Sequence, residues 1–281
     1  MTNTTTPTIP ETPLARLRWA LADAWTITRR DLTHWVRQPA PFVIGLLFPV
    51  MTVLMFGYLF GGAISVPGGG ASGGEGHREF LMPGMFAMTM AFGLEATLVA
   101  VTTDAARGVT DRFRSMPMAS SAVVLGRSAA DMLRSVAGLA VVVACGLLIG
   151  WQWRNGVGEA LLAVGLLLLL RFALLWVGIY LGLVFEGTDA VVAAQILVWP
   201  VLFLSNVFVA PETMPSWLGT IAEWNPLSAT AAATRELFGN PGWDGESWAA
   251  RNALSMAAAW PLAVLAVFFP LSVRRYRRLS R

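Results

Sequence analysis

The chain has 281 residues, of which 56% are hydrophobic and 13% are charged, with a net charge of +3. Soluble domains usually carry about 25% charged residues, so the composition excludes an ordinary soluble domain and favours a membrane protein with several spans. The net charge is too small to indicate a nucleic-acid partner. All 20 basic residues are arginine, which excludes ATP sites and covalent chemistry that depend on lysine.

The first 37 residues divide into a polar segment and an amphipathic one. Residues 1–13 are rich in threonine and proline, so we expect a disordered start, and no cleavable signal peptide is expected. In residues 14–37, apolar side chains recur every three or four positions, with arginines on the other side. This pattern predicts a helix lying in the membrane interface. A soluble helix packed on another protein is the alternative.

Six apolar runs follow, each near the roughly 20 residues that a helix needs to cross a bilayer. They cover residues 41–60, 81–101, 123–150, 161–185, 191–209 and 253–273. A glycine-rich loop, residues 66–79, is expected between the first two runs. The runs predict an all-α polytopic membrane protein with six transmembrane helices in residues 38–273 and a basic tail in residues 274–281.

The arginines are divided unequally between the two sides of the predicted membrane domain. Five precede the first span, four lie between the second and third spans, and five are in the tail. Arg78, Arg154, Arg235 and Arg251 fall on the opposite side. Because basic loops stay on the cytoplasmic side of a membrane, both termini and the loop between the second and third spans are expected in the cytoplasm.

That loop, residues 102–127, is a charged interval between two long apolar runs. Within it, Val109, Phe113 and Met116 share one helical face, and Pro117 ends the pattern. We therefore expect a short amphipathic helix at the membrane surface, where it could dock a partner protein. An ordinary solvated loop is the alternative.

Residues 211–239, between the fifth and sixth spans, contain two short helical patterns that are broken at Asn225 and Pro226. Neither pattern, residues 216–223 or 227–238, is long enough to span a membrane. Their apolar side chains and interrupted backbone predict a re-entrant helical hairpin that enters from the outer face. A loop lying on the surface is the alternative.

Four ionisable residues, Glu95, Asp131, Arg134 and Arg171, are predicted inside the spans. A lone charge at the middle of a bilayer costs about 3 kcal/mol on insertion scales. We therefore expect Glu95 to pair with Arg171 across the second and fourth spans, and Asp131 to pair with Arg134 on one helix. The first pair would either set the helix register or contact a substrate.

The sequence contains none of the patterns typical of an enzyme, such as HExxH, GxSxG or a glycine-rich phosphate loop before a helix. The two histidines are far apart in sequence, and Cys145 is the single cysteine. We therefore expect a protein that is not itself an enzyme and that binds no metal or cofactor.

Three stretches together resemble a known family. They are FLMPGMFAMTMAFG at residues 80–93, ARGVTDRFRSMPMASSAVVLGRSAADMLRS at residues 106–135 and NPLSATAAATREL at residues 225–237. These stretches resemble the permease subunits of type-2 ABC exporters, and most of all the daunorubicin/doxorubicin-resistance permeases. The likeness extends from about residue 14 to the tail.

The resemblance implies a multi-pass permease in the bacterial cell membrane that works as a homodimer or heterodimer with a separate ATPase subunit. That subunit would use ATP and magnesium, in agreement with the absence of lysine from this chain. Residues 107–117 would form the coupling helix that docks on the ATPase, and residues 14–37 the connecting helix beside it. The residues that match the coupling pattern are Arg107, Gly108, Asp111, Arg112, Phe113, Arg114, Met116 and Pro117. The substrate path would run between the first, second and fifth spans.

The expected function is therefore ATP-driven export of amphiphilic small molecules, either drug-like compounds or lipids. A permease for polysaccharide or glycolipid is the alternative within the same architecture. A secondary transporter coupled to protons through Glu95 is the alternative from a different class, and a membrane enzyme is the least favoured.

Overall fold

The computed structural model describes residues 12–59, 75–106, 108, 120–185, 188–209, 211–242, 245 and 247–279. Its regular structure in these ranges is helical. The helices are α1 (Pro13–Arg37), α2 (Ala40–Leu54), α3 (Glu75–Ala106), α4 (Ser120–Leu148), α5 (Val157–Val184), α6 (Thr188–Phe203), α7 (Ser216–Glu223), α8 (Pro226–Phe238), α9 (Trp248–Arg251) and α10 (Ala253–Leu279). A π-helical turn, Met55–Leu59, continues α2, and a 3-10 turn, Pro211–Thr213, precedes α7.

Five helical segments in the described ranges are long and apolar enough to cross a membrane. They are Ala40–Tyr58, Gly76–Ala106, Val124–Leu148, Val157–Val184 and Ala253–Tyr276. These segments correspond to five of the six predicted spans and agree with an all-helical membrane domain. The predicted span at residues 191–209 is helical only as far as Phe203, so its passage through the membrane stays a prediction.

The early end of α6 has a local cause and a tertiary one. Pro200 lies in its last turn and has no N–H group to donate to the preceding turn. Beyond it, the carbonyl oxygens of Val201 and Leu204 accept hydrogen bonds from Nδ2 of Asn225, at 2.6 and 2.8 Å. A side chain of the next segment thus satisfies one carbonyl in the last turn of α6 and one just after it, and the backbone turns away from the helix axis.

The central helix of the bundle is α3, which packs mainly on α5, α8 and α4. Its residues Leu81, Met82, Met85 and Phe86 are almost completely buried. Since lipid tails are as apolar as these side chains, close packing rather than exclusion of water holds such helices together in a membrane.

The start of α3 corrects the predicted glycine-rich loop, because Glu75–Glu79 is helical. Tertiary contacts of polar side chains hold this first turn. Arg78 Nη1 donates to the carbonyl of Ile149 at 2.6 Å, and Glu79 forms an ion pair of 2.7 Å with Arg154. A sequence pattern does not reveal these partners, which are about 70 residues away in the chain.

Two glycines one turn apart bring α5 close to α3. A Cβ atom on Gly178 would lie 2.8 Å from the carbonyl oxygen of Leu94, and one on Gly182 would lie 2.7 Å from Val101 Cγ1. Gly178 and Gly182 form a GxxxG pattern, in which small residues let two membrane helices approach closely. The pattern is visible in the sequence, but the close contact between these helices was not predicted from it.

The amphipathic helix α1 begins and ends where the periodicity predicts, and it packs on α4 of its own chain. Thr28 Oγ1 donates to the carbonyl oxygen of Gly126 at 2.8 Å. A Cβ atom on Gly126 would lie only 2.4 Å from the carbonyl oxygen of Ala24, so this crossing requires glycine. Leu21 and Trp25 remain more than half exposed. The position of α1 in the membrane interface stays a prediction.

The predicted tail does not begin as a separate segment at residue 274, because α10 continues to Leu279. Its last turns pack on the bundle, where Tyr276 is buried and Arg275 Nε donates to the carbonyl of Leu183 at 3.3 Å. The predicted disorder at the start of the chain concerns mainly residues 1–11, which lie outside the described residues.

Candidate functional site

Arg171 is the centre of a polar cluster that joins three helices. Its guanidinium is 1% exposed and forms an ion pair of 2.8 Å with Oδ2 of Asp131. Its Nη2 also donates to Thr97 Oγ1, and its Nε donates to Ser135 Oγ, both at 2.8 Å. Asp131 and Ser135 lie one turn apart on α4, so they present their oxygens to Arg171 from the same face.

This cluster corrects the predicted pair of Glu95 with Arg171. On α3, Glu95 is two residues before Thr97 and therefore points about 200° away around the helix axis. Gly93 is four residues before Thr97 and shares its face. A Cβ atom on Gly93 would lie 2.3 Å from Arg171 Nε, so the absence of a side chain makes room for the guanidinium. Gly93, Thr97 and Ser135 were not among the predicted site residues. The available signal was a spacing of four residues, which separates Gly93 from Thr97 and Asp131 from Ser135.

The predicted pair of Asp131 with Arg134 is also wrong, because Asp131 is bonded to Arg171. The guanidinium of Arg134 lies over the ring of Phe42 instead, 5.8 Å from its centroid. Arg134 is three positions after Asp131 on α4. Its side chain points towards α2, whereas that of Asp131 points towards α5. Only the tertiary arrangement decides between these partners.

Glu95 is bonded to the amide Nε2 of Gln195, across the contact between α3 and α6. In the part of the chain that the structure describes, its recorded partner is thus a neutral amide and not an arginine. Gln195 was not singled out in the sequence. An ionisable side chain within a span with no partner of opposite charge is costly, and such residues usually have a functional role.

Six aromatic rings continue from this point along α2 with the π-helical turn after it, α3, and α6 with the segment after it, and we call them the aromatic track. Its members are Phe48, Phe56, Phe92, Trp199, Phe203 and Phe208. Successive ring centroids are 4.7–6.1 Å apart, and the rings of Trp199 and Phe203 are stacked at 19°. These distances are typical of direct aromatic contact. The track lies on the predicted first, second and fifth spans, which is where the resemblance places a substrate path.

A cavity of about 450 Å³ lies between α1, α3, α4 and α5, towards the C-terminal end of α3. Charged and aromatic side chains line it together, among them Arg30, Trp35, Asp104, Arg127 and Arg134. Arg127 forms an ion pair with Asp104, which ties the start of α4 to the end of α3. The cavity is therefore next to the two ends of the predicted coupling segment.

Of the predicted coupling residues, the structure describes Gly108 alone. Its φ of +64° is in the left-handed region, and its N–H donates to the carbonyl of Ala105 at 3.1 Å. This is the usual way in which glycine ends a helix, and it stops α3 where the segment begins. Arg107, Asp111, Arg112, Phe113, Arg114, Met116 and Pro117 lie outside the described residues.

The helical break predicted at Asn225 and Pro226 is confirmed, since α7 ends at Glu223 and α8 begins at Pro226. Asn225 Oδ1 accepts from the N–H of Leu227 at 2.8 Å and thereby caps α8. Asn225 is also bonded to the end of α6, so it joins α6 to α8. The depth of the hairpin in a membrane, and with it the re-entrant path, stays a prediction.

Arg235 holds the other end of this hairpin. Its Nε donates to the carbonyl of Phe80 at 2.9 Å, and its Nη2 donates to the carbonyls of Asn206 and Val207, both at 3.2 Å. The guanidinium also lies 4.0 Å from the centroid of the Phe80 ring. Burial lowers the pKa of Arg235 to about 9, which still leaves it protonated at neutral pH. It therefore acts as a multiple donor to backbone oxygens.

Comparisons with known proteins identify the family of the chain. The family model described as ABC-2 type transporter matches residues 22–238. The chain is 35% identical over 261 residues to the daunorubicin resistance ABC transporter permease protein DrrB1 of Streptomyces coeruleorubidus, covering 90% of this chain and 87% of the relative.

Two other similar proteins come from different organisms. The ycf38 protein of Pyropia yezoensis is 27% identical over 221 residues, covering 78% of this chain and 74% of its own length. The doxorubicin resistance ABC transporter permease protein DrrB of Mycobacterium tuberculosis is 28% identical over 162 residues, covering 53% of each chain. The family match extends from the middle of α1 to the end of α8 and thus includes the polar cluster, the aromatic track and the hairpin. The chain belongs to the ABC-2 type transporter family, as a homologue of the daunorubicin and doxorubicin resistance permeases.

Proposed function

We propose that the protein is the transmembrane subunit of an ATP-driven exporter that moves amphiphilic small molecules outward across a bacterial cell membrane. The observation that carries this proposal is the identity of 35% over 90% of the chain with a relative named as a daunorubicin resistance permease. The aromatic track supports an amphiphilic cargo, because stacked rings offer a flat apolar surface within the membrane.

The proposal requires an ATPase subunit from another polypeptide. A phosphate-binding lysine is part of the ATP site in such ATPases, and this chain has no lysine. ATP and magnesium would therefore bind to the partner, which docks on residues 107–117 at the cytoplasmic face. Both termini would lie on that face, and two permease subunits, identical or related, would form the translocation path.

Contacts at the ends of the coupling segment support a mechanical link. The start of α4 is tied to α3 through Arg127 and Asp104, and to α1 through Gly126 and Thr28. A displacement of the segment by the ATPase would thus reach α1 and α3 directly. Farther along α3 and α4, the same motion would reach Asp131 and its partner Arg171.

The central experiment reconstitutes the permease with its ATPase subunit in liposomes and measures transport of a fluorescent amphiphile. Export that stops with vanadate and persists with an uncoupler is the expected result. Export that persists with vanadate and stops with an uncoupler would instead establish the proton-coupled alternative. Export of a labelled glycolipid in preference to small amphiphiles would favour the polysaccharide or glycolipid alternative.

A variant in the coupling segment tests the docking role. Phe113→Ala should insert normally yet uncouple ATP hydrolysis from transport, because it removes the apolar side chain of the docking face. Phe185→Ala is the matched control, since Phe185 directly follows α5 on the predicted cytoplasmic side and is 46% exposed. If substrate-stimulated ATP hydrolysis is the same in Phe113→Ala as in the wild type, the segment has no docking role.

A further inference from the structure

Arg134 is a half-buried arginine of the apolar segment Val124–Leu148, and among the described residues it has no acidic partner. Its guanidinium lies over the ring of Phe42, 5.8 Å from the centroid. Arg127 on the same helix and Arg171 on α5 are instead each paired with an aspartate. A cation in a membrane span is stabilised by a nearby anion. The described part of the chain does not supply this anion at Arg134.

The side chain of Arg134 lines the cavity of about 450 Å³ between α1, α3, α4 and α5. This volume is within the range of roughly 300–1,000 Å³ that is usual for sites of small molecules. Gln38 and Pro41 also line the cavity and are exposed, so it opens on the surface of the bundle. Trp35 and Phe42 provide an aromatic wall, with their ring centroids 4.7 Å apart. The cavity therefore presents both a charged and an apolar surface to a ligand.

The other charges at the cavity are balanced by charges of opposite sign. Two pairs bring together an arginine and an aspartate in direct contact, and a third arginine and aspartate are neighbours on α1 and each have a partner. These residues are Arg127 with Asp104, Arg171 with Asp131, and Arg30 next to Asp31. The positive charge of Arg134 is thus left in excess, and an anion is the complementary ligand.

The place of the cavity indicates which anion could reach it. The helix α1 crosses α4 at Gly126, and Arg134 is eight residues further along α4, about 12 Å along the helix axis. The distribution of arginines predicts that this end of the bundle is cytoplasmic. Basic pockets between helices on that side of a membrane suit lipid headgroups. A phospholipid supplies a phosphate for the arginine and acyl chains for the apolar wall.

We propose that this cavity binds an anionic phospholipid of the cytoplasmic leaflet, with the phosphate beside Arg134 and the apolar part beside Trp35 and Phe42. The lipid stays bound and is not transported. Its phosphate would lie between Arg134 of α4 and Arg30 of α1, so it would hold α1 against the spans. This inference depends neither on the cargo nor on the ATPase subunit.

Native mass spectrometry of the purified, delipidated permease in detergent tests the site. The probes are phosphatidylglycerol, which is anionic, and phosphatidylcholine with the same acyl chains, which brings its own positive charge. The wild type should retain one phosphatidylglycerol per chain at concentrations at which phosphatidylcholine is lost. Hydrogen exchange of the α1 amides should become slower when phosphatidylglycerol is bound. Equal retention of the two lipids would contradict a site that is selective for anions.

Arg134→Gln removes the charge and keeps a hydrogen-bonding group. It should weaken binding of phosphatidylglycerol by about tenfold, the size expected for one charge-assisted hydrogen bond. Arg134→Lys keeps the charge and should recover part of the loss. Arg29→Gln is the matched control, because Arg29 is an exposed arginine of α1 that does not line the cavity. The inference is wrong if Arg134→Gln binds as tightly as the wild type, or if Arg29→Gln weakens binding as much.

Arg30→Gln decides the question if Arg134→Gln does not fold. Arg30 is exposed and lines the cavity from α1, so its replacement should weaken binding of phosphatidylglycerol more than Arg29→Gln does. The same affinity in Arg30→Gln and Arg29→Gln would show that the headgroup does not lie between α1 and α4.

Two further arms distinguish the source and the fate of the phosphate group. Millimolar inorganic phosphate should not displace the bound lipid, and displacement would assign the site to free phosphate. In liposomes that contain the permease and its ATPase, ATP should not move headgroup-labelled phosphatidylglycerol outward through this site. Outward movement that Arg134→Gln abolishes would make the lipid a cargo and overturn the inference. A complex that exports nothing would refute the exporter function and leave the lipid site standing.

Discussion

Asp131 of α4 and Arg171 of α5 are joined by an ion pair of 2.8 Å, and Thr97 of α3 is hydrogen-bonded to both. Three helices that are each long and apolar enough to cross a membrane therefore meet at one polar cluster. Arg171 is 1% exposed, so its charge depends on these partners and not on solvent. This polar cluster fixes the register of the three helices relative to one another.

Asp131→Asn should destabilise the protein strongly, because it leaves the charge of Arg171 buried without an anion. Removal of one partner from a buried ion pair costs about 3–5 kcal/mol. The thermal denaturation midpoint of the purified permease in detergent measures this loss. Glu95→Gln is the matched control, since it removes a carboxylate at similar depth that does not contact Arg171, and its midpoint should stay near that of the wild type.

The double variant Asp131→Leu with Arg171→Met separates loss of the pair from loss of one charge. It should be more stable than Asp131→Asn, because neither substituted position leaves a buried charge. If the double variant is the less stable of the two, the cluster contributes more than mutual neutralisation of two charges.

Gly178→Ala should separate α5 from α3. The added Cβ atom would lie 2.8 Å from the carbonyl oxygen of Leu94, and backbone cannot move aside as a flexible side chain can. Overpacking of this kind costs about 1–3 kcal/mol. Gly165→Ala, on the same helix with no atom within 4 Å of the added Cβ, should be neutral. Equal denaturation midpoints for the two variants would contradict the role of the glycine contact.

Arg235→Met should destabilise the hairpin by more than about 2 kcal/mol, because the carbonyls of Phe80, Asn206 and Val207 each lose a donor. Arg235→Lys should recover only part of the loss, since an ammonium group cannot reproduce the planar fork of donors. Limited proteolysis of the segment that joins α6 to α7 measures the effect. Arg251→Met, at an exposed arginine of α9, should be cut no faster than the wild type.

Gly126→Val should release α1 from α4 and leave the spans assembled. A side chain at this position meets the carbonyl oxygen of Ala24 at 2.4 Å, so α1 must move away and lose the bond from Thr28 to this residue. Hydrogen exchange of the α1 amides should become faster, while exchange in α5 stays unchanged. Gly138→Ala, where the added Cβ meets only Leu46 at 3.4 Å, serves as the control on the same helix.

The pattern of apolar runs and arginines was enough to predict the helical class, α1, five helices that are long and apolar enough to cross a membrane, and the break before α8. Each of these follows from local properties, such as periodicity, length of an apolar run and the restricted backbone of proline. Besides the bounds of the glycine-rich loop and of the tail, the predictions that were wrong concern partners. Glu95 was expected beside Arg171, and Asp131 beside Arg134, on grounds of charge and depth alone.

The amino-acid sequence by itself determined that this protein is an α-helical membrane protein, and its motifs indicated the transporter family. Only the tertiary structure decided that Arg171 is held by Asp131, Thr97 and Ser135, and that Glu95 is left with a neutral partner next to a row of aromatic rings. The reason is geometric. Depth and charge can be counted along a chain, whereas the face of a helix that meets its neighbour depends on close packing, here set by glycines such as Gly93 and Gly178.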